Sequence, residues 1–200
     1  MREVTSQEKL WKSKFGDDYI NRNRHELRIP HWNKILNKVP INKDFSFLEF
    51  GANIGVNLDS IKEINNEVNC TGIEINQKAF SELENKHNAF NCSALDFEKN
   101  VKFDFVFTFV FLIHINPNEL NNIYKKIFDY SKKYILIAEY FNPQPVVIDY
   151  RNQSEALFKR DFAGDLLDLY PSLKLIDHGF FWKRDLDCKE DNINWFLFMK

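Results

Sequence analysis

A chain of 200 residues, 44% hydrophobic and 16% aromatic with twenty phenylalanines, suits one domain with a sizeable core. Its formal net charge of −2 lacks the basic excess that nucleic-acid binding leaves, and no run of about 18 apolar residues suggests a membrane span. The polar start, Met1 to Glu8, has no signal-peptide core, so a cytoplasmic protein is expected. Cys70, Cys92 and Cys188 are widely spaced, odd in number and without a C-x-x-C pair, and read as free thiols. His25, His31, His87, His114 and His178 show no metal-ligand spacing, so no metal is expected.

Residues 1–44 read as an N-terminal helical extension to a core over 45–200. Leu10, Trp11, Phe15, Tyr19 and Ile20 recur at roughly helical spacing between Thr5 and Leu27. Gly16-Asp17-Asp18 reads as a break that caps a second helix, and a further helix fits His31 to Lys38, between Pro30 and Pro40. The extension is either a lid over a ligand cleft, offering Trp11, Tyr19, Arg22 and Arg24 for stacking and anion pairing, or an aromatic face packed on the sheet edge.

Strand one is expected over Ser46 to Phe50, followed by a turn through Gly51, Ala52, Asn53 and Gly55 and a helix over Ile54 to Ile64. Two glycines between strand and helix permit a tight turn and a close backbone approach to a ligand. The middle glycine of a dinucleotide fingerprint is missing; Asn53 stands there, and asparagine tolerates left-handed backbone. Glu49 puts an anion at the strand's end. It would repel a pyrophosphate and attract the ammonium and sulfonium of S-adenosylmethionine (SAM). The plain alternative is a tight turn in some other α/β protein.

Strand two, Val68 to Asn76, ends in Glu74-Ile75-Asn76, near the roughly 20-residue offset at which an acid grips ribose hydroxyls. A helix is expected over Gln77 to Lys86 and a third strand over Phe90 to Ala94. Beyond it, Asp96 is placed to accept an adenine amine, with Leu95 and Phe97 packing on the ring, unless Asp96 is a solvated turn residue. Phe103 to Phe111 is the most apolar strand, continuous rather than alternating in pattern, as a central strand covered on both faces should be. Its exit places Thr108 and Phe109 on the cofactor side and carries His114, either a general base or a histidine packed under the loop. Pro117 is suited to open a helix through Tyr130.

Strand five, Lys133 to Tyr140, precedes a long segment, Phe141 to Lys159, read as a functional loop. Tyr140, Tyr150, Arg151, Lys159 and Arg160 would receive an acceptor there, the cations clamping a carboxylate or phosphate. Asp149, Glu155 and Asp161 could equally neutralise them as surface pairs. Leu173 to Trp182 and Ile193 to Met199 close the chain as strands flanking a charged loop, Lys183 to Asn192.

This order, with Glu49 to Gly55, Glu74, Asp96 and a closing strand pair, resembles the class I SAM-dependent methyltransferases over Phe47 to Lys200. The resemblance implies a single Rossmann-like α/β domain: a seven-stranded, mostly parallel sheet, its last strand antiparallel, with helices on both faces. Longer strings resemble the methylases associated with pseudaminic acid biosynthesis: Phe15 to Tyr19, Leu48 to Gly55, Gly72 to Asn76, Leu112 to Pro117, Ile135 to Tyr140 and Leu157 to Gly164. One departure is Tyr150-Arg151-Asn152, where a glycine is expected after the arginine. The implied activity is methyl transfer from SAM, with S-adenosylhomocysteine (SAH) as product, to a small anionic acceptor from a nonulosonic acid or nucleotide-sugar pathway. The rivals are a SAM-binding protein without turnover and a nicotinamide-dependent oxidoreductase, the latter disfavoured by Glu49 and the absent glycine.

Overall fold

The structure is a computed structural model and describes residues 2–22, 26–151 and 153–200. Arg24 and Asn152, both singled out in the sequence, lie outside the described residues.

Alternation of large apolar residues builds the centre of the sheet. In β1 (Ser46–Phe50) and β4 (Phe103–Phe109), Phe47, Phe105 and Phe107 point to one face, while Leu48 and Val106 point to the other. Both faces are buried, so both alternating sets are apolar. The first face is covered by α3 (Ile29–Leu36) and α4 (Val56–Ile64) through Trp32, Ile35, Leu58 and Ile61. The second is covered by α6 (Leu120–Tyr130) and α7 (Phe162–Leu169) through Leu120, Ile123, Ile127 and Leu166.

With β2 (Asn69–Glu74), β3 (Asn88–Asn91), β5 (Ser131–Glu139), β8 (Lys174–Phe181) and β9 (Ile193–Met199), the strands form one seven-stranded sheet in the order β3-β2-β1-β4-β5-β9-β8. The pairs from β3 to β5 are parallel, and β9 enters antiparallel between β5 and β8. This is the expected architecture. The strand order reverses at β1, between β2 and β4, where open α/β sheets bind ligands.

Three expectations need correction. The break in the N-terminal extension falls at Ser13, between α1 (Ser6–Lys12) and α2 (Lys14–Arg22), so Gly16-Asp17-Asp18 lies inside a helix. The cap of α1 is upstream, where Thr5 and Glu8 make a reciprocal capping box. The segment after strand five is no open loop: β6 (Val146–Tyr150) and β7 (Gln153–Lys159) pair antiparallel as a separate two-stranded sheet. The helix expected to begin at Pro117 begins at Leu120, after a single 3-10 turn over Pro117–Glu119. Among the described residues, no helix is long and apolar enough to cross a membrane.

The packing makes a stability prediction. Phe107 is fully buried, with its ring edge-on to Trp32 at 4.8 Å. Phe107→Ala should lower unfolding free energy by about 3–5 kcal/mol in a urea titration; a loss below about 1 kcal/mol would place the core elsewhere.

Candidate active site

The turn after β1 is tight for the reason the sequence gives, but its donors point inward. Gly51 and Gly55 have φ of 72° and 88°, and Asn53 has 49°. A Cβ on Gly51 would lie 2.3 Å from the Phe111 ring, so this glycine makes room for a side chain of the next wall. The N–H groups of Gly51 and Ala52 donate to the Ile73 carbonyl at 2.9 and 3.0 Å. That of Asn53 donates to Glu74 Oε2 at 2.8 Å, and that of Gly55 to the Ala52 carbonyl at 2.9 Å. These four donors are therefore engaged within the protein and do not form a phosphate cradle.

Glu49 and Glu74 end adjacent strands and are both buried. Glu49 Oε1 accepts from Asn57 Nδ2 at 2.7 Å, while Oε2 is buried without a hydrogen-bond partner. Burial pushes this carboxyl up to about 8 against the opposing pull of Asn57 and Arg28. Glu74 Oε1 accepts the Asn76 N–H at 2.7 Å; burial raises its carboxyl too, opposed by the N–H groups of Asn76 and Asn53. Asn76 caps α5 (Gln77–Leu83) and donates to the Trp11 carbonyl and to Asp17, which fastens the N-terminal helices to the end of β2.

Arg28 is a cation that acts on Glu49, and the sequence reading missed it. Its Nε donates to Glu190 Oε2 at 2.5 Å, its Nη1 lies 3.5 Å from Asn57 Oδ1, and its guanidinium stands 4.9 Å over the Phe109 ring. Asn57 thus joins Arg28 to Glu49. The two ion-paired side chains are only 12% and 11% exposed. Asn57 sits two residues past Gly55, a position a turn-to-helix reading could have marked. Arg28 and Glu190 lie 162 positions apart, and no local pattern joins them.

His114 closes a 3-10 turn, Leu112–His114, and is buried. Its Nδ1 lies 2.8 Å from the Ala156 carbonyl, which can only accept, so Nδ1 carries the proton and Nε2 keeps its lone pair. Burial lowers the imidazole to about 4, which keeps it neutral at pH 7. Trp11 packs on it at 4.5 Å, and Tyr150 stands at 5.9 Å. Tyr19, itself 5.0 Å from Trp11, has its phenol pushed up to about 12 by burial.

One cavity of about 320 Å³ gathers most of the expected residues, a size within the range of roughly 300–1,000 Å³ usual for small-molecule sites. Trp11, Tyr19, Glu49, Gly51, Ala52, Asn53, Glu74, Ile75, Asn76, Phe109, His114, Tyr140, Tyr150 and Arg151 line it, together with Arg28, Asn57, Glu190 and Asp191 from outside the expected set. Seven expected residues do not. Phe50, Phe97 and Thr108 are buried in the core, Phe97 against Phe90 and Tyr130. Gly55 sits behind the wall as the left-handed cap of α4. Asp96 is 54% exposed and held bidentate by Arg2 at 2.8 and 2.9 Å, while Ser93, Ala94 and Leu95 take its place in the wall. Lys159 lies 4.9 Å over the Tyr140 ring, and Arg160 is paired with Asp165 at 2.6 Å. Of the three proposed clamp cations, only Arg151 reaches the cavity. It has φ of 52°, and its guanidinium lies 5.5 Å over the Tyr150 ring.

No protein-family model and no curated protein matches the chain. Solved structures do. The 1,6-didemethyltoxoflavin-N1-methyltransferase of Burkholderia thailandensis, with bound 1,6-didemethyltoxoflavin and SAH, matches at 12% identity and TM-score 0.74, over 100% of this chain and 92% of that one. The magnesium protoporphyrin IX methyltransferase of Synechocystis, with bound SAH, matches at 11% identity and TM-score 0.71, over 96% and 97%. The plantazolicin methyltransferase, in complex with SAH, matches at 14% identity and TM-score 0.68, over 98% and 94%. The chain has the fold of these SAM-dependent methyltransferases, whose substrates differ widely.

The raised carboxyl of Glu49 gives a pH prediction. The folded chain holds this proton more tightly than the unfolded one, so the associated stability is full below about pH 4.3 and is lost as pH rises to about 8. Glu139, discussed below, has the same sign. His114, whose imidazole is lowered, acts in the opposite sense below about pH 6.5, so the readout is the difference: from about pH 5 to 8 the urea midpoint of the parent chain should fall relative to that of Glu49→Gln. Parallel slopes in the two proteins would mean that Glu49 does not titrate in this window.

Proposed function

We propose that this chain is a cytoplasmic SAM-dependent methyltransferase acting on a small, acidic, sugar-derived acceptor. The observation that carries the cofactor reading is the coupling of Glu49 to Arg28 through Asn57 in the cavity wall. The amino-acid end of SAM bears an ammonium and a carboxylate. Glu49 has a buried oxygen without a partner, and Arg28 has guanidinium donors beyond those given to Glu190 and Asn57. Glu74 keeps unused lone pairs for ribose hydroxyls, and Trp11 and Tyr19 supply aromatic surface. A nicotinamide dinucleotide fits less well, because the turn's N–H groups at Gly51, Ala52, Asn53 and Gly55 are already engaged.

SAM, when bound, supplies a methyl group made electrophilic by the sulfonium. The chain's own residues then need mainly to hold the acceptor in line and keep water out. His114 offers a neutral Nε2 to an acceptor hydroxyl and can take its proton as the nucleophile attacks. Arg151, Tyr140 and Tyr150 flank the same cavity, and an arginine fork suits a carboxylate or phosphate. The acidic-sugar class rests on this cation and on the resemblance to the pseudaminic acid-associated methylases.

Calorimetric titration tests the cofactor. SAM and SAH should bind while NADH does not, and Arg28→Ala and Glu74→Ala should each weaken SAM by about tenfold or more. Unchanged affinity in both variants would remove the zwitterion and ribose contacts. Turnover tests the chemistry, using methyl-labelled SAM and acidic sugars read by mass spectrometry. His114→Ala should slow transfer about 10²–10⁴-fold, and Arg151→Lys should raise the acceptor's KM with little change in SAM affinity. SAM binding without turnover on any acceptor would favour a non-catalytic SAM-binding protein.

A further inference from the structure

Glu139 ends β5 inside the core, does not line the cavity and has no part in the chemistry above. Its Oε1 nevertheless accepts two backbone donors, the N–H groups of Phe111 at 3.1 Å and Leu112 at 3.0 Å. Both belong to the turn by which β4 leaves the sheet. That turn is unfavourable on its own, because Val110 has φ of 56°, a left-handed conformation that a β-branched residue rarely adopts. The turn is held from β5 at three successive points: the Val110 N–H donates to the Ala138 carbonyl at 2.8 Å, and the next two N–H groups go to Glu139. The 3-10 turn that follows has no capping side chain of its own, so Glu139 caps it across the sheet.

Two cavity residues depend on this hold. The Phe111 ring occupies the space a Cβ on Gly51 would take, and the His114 N–H donates to the Phe111 carbonyl at 3.0 Å. We propose that Glu139 is a positioning residue: by gripping the Phe111 and Leu112 N–H groups, it sets the Phe111 ring against the glycine turn and His114 against the acceptor side. The inference rests on the cofactor reading above. The carboxyl is buried, and burial pushes it up to about 7 against the opposing pull of the Leu112 and Phe111 N–H groups and of the Thr108 hydroxyl. A group kept at that cost is consistent with a task other than packing.

Three variants test it: Glu139→Gln, which keeps an oxygen for both N–H groups; Glu139→Ala, which keeps none; and Glu139→Asp, one methylene shorter. SAM and SAH affinities are measured by calorimetry, and hydrogen–deuterium exchange is followed across residues 110–114. Glu139→Ala should bind both ligands about tenfold or more weakly and exchange faster across 110–114, while Glu139→Gln stays within about threefold of the parent. A purely space-filling role predicts the same rescue by Glu139→Met, which keeps much of the volume and removes the acceptor, whereas the positioning role predicts that this further variant binds and exchanges like Glu139→Ala. Wild-type affinity in Glu139→Ala, or equal losses in Ala and Gln, overturns the proposal. Should the alanine variant not fold, Glu139→Asp decides: weakened binding with faster exchange supports the positioning role, and wild-type binding overturns it. A parent chain that binds neither SAM nor SAH overturns the cofactor reading and this role with it, whereas a binding parent with insensitive variants overturns the role alone.

Discussion

The arrangement depends on burying carboxylates at the carboxyl ends of neighbouring strands. Glu49, Glu74 and Glu139 end or nearly end β1, β2 and β5, and all three are 8% exposed or less. Burial raises each of them, and each is met by amide donors: Asn57 for Glu49, backbone N–H groups for the other two. The donors come from the segments that leave the sheet, so the cost of burying charge is offset by fixing the exit paths of the chain. Glu74 orders the turn after β1, and Glu139 orders the turn after β4.

This explains why a turn with two glycines need not be a phosphate cradle. Its left-handed residues bring the Gly51 and Ala52 N–H groups onto the Ile73 carbonyl and the Asn53 N–H onto Glu74, knitting β1 to β2. In the proposed reading, recognition falls instead to side chains of the cavity wall, among them Glu49, Glu74 and Arg28. The aromatic rings of the N-terminal helices complete the wall through Trp11, which both lines the cavity and packs on His114.

The layered fold was legible because its signals are local or periodic. Strand β4 is apolar at every position but Asp104 and Thr108, the helices carry apolar stripes, and the two glycines fall where positive φ is needed. Failures occurred where tertiary contacts decide. Asp96 looked available until Arg2, 94 positions away, was found holding it, and Arg160 looked like a clamp until Asp165 took its charge. The β6–β7 hairpin was hidden because β6 runs through exposed Val147 and Ile148 and lacks a clear alternating pattern. Arg28 carried no signal because its partner Glu190 comes from the far end of the chain.

The insertion of β9 between β5 and β8 has a consequence for how the protein comes into being. Glu190 lies on the connection that leads into β9, so its ion pair with Arg28 spans nearly the whole chain. During synthesis the N-terminal portion is available to fold first, at about 5–20 residues per second, and β1 to β5 can associate while β9 is still inside the ribosome. The far wall of the cavity is complete only after β9 pairs with β5, a pairing of high sequence separation and therefore slow, while β8 joins the sheet through β9 alone. A nascent chain at that stage would present the flank of β5 with its amide groups unpaired, so the arrival of β9 completes the sheet and the cavity wall together.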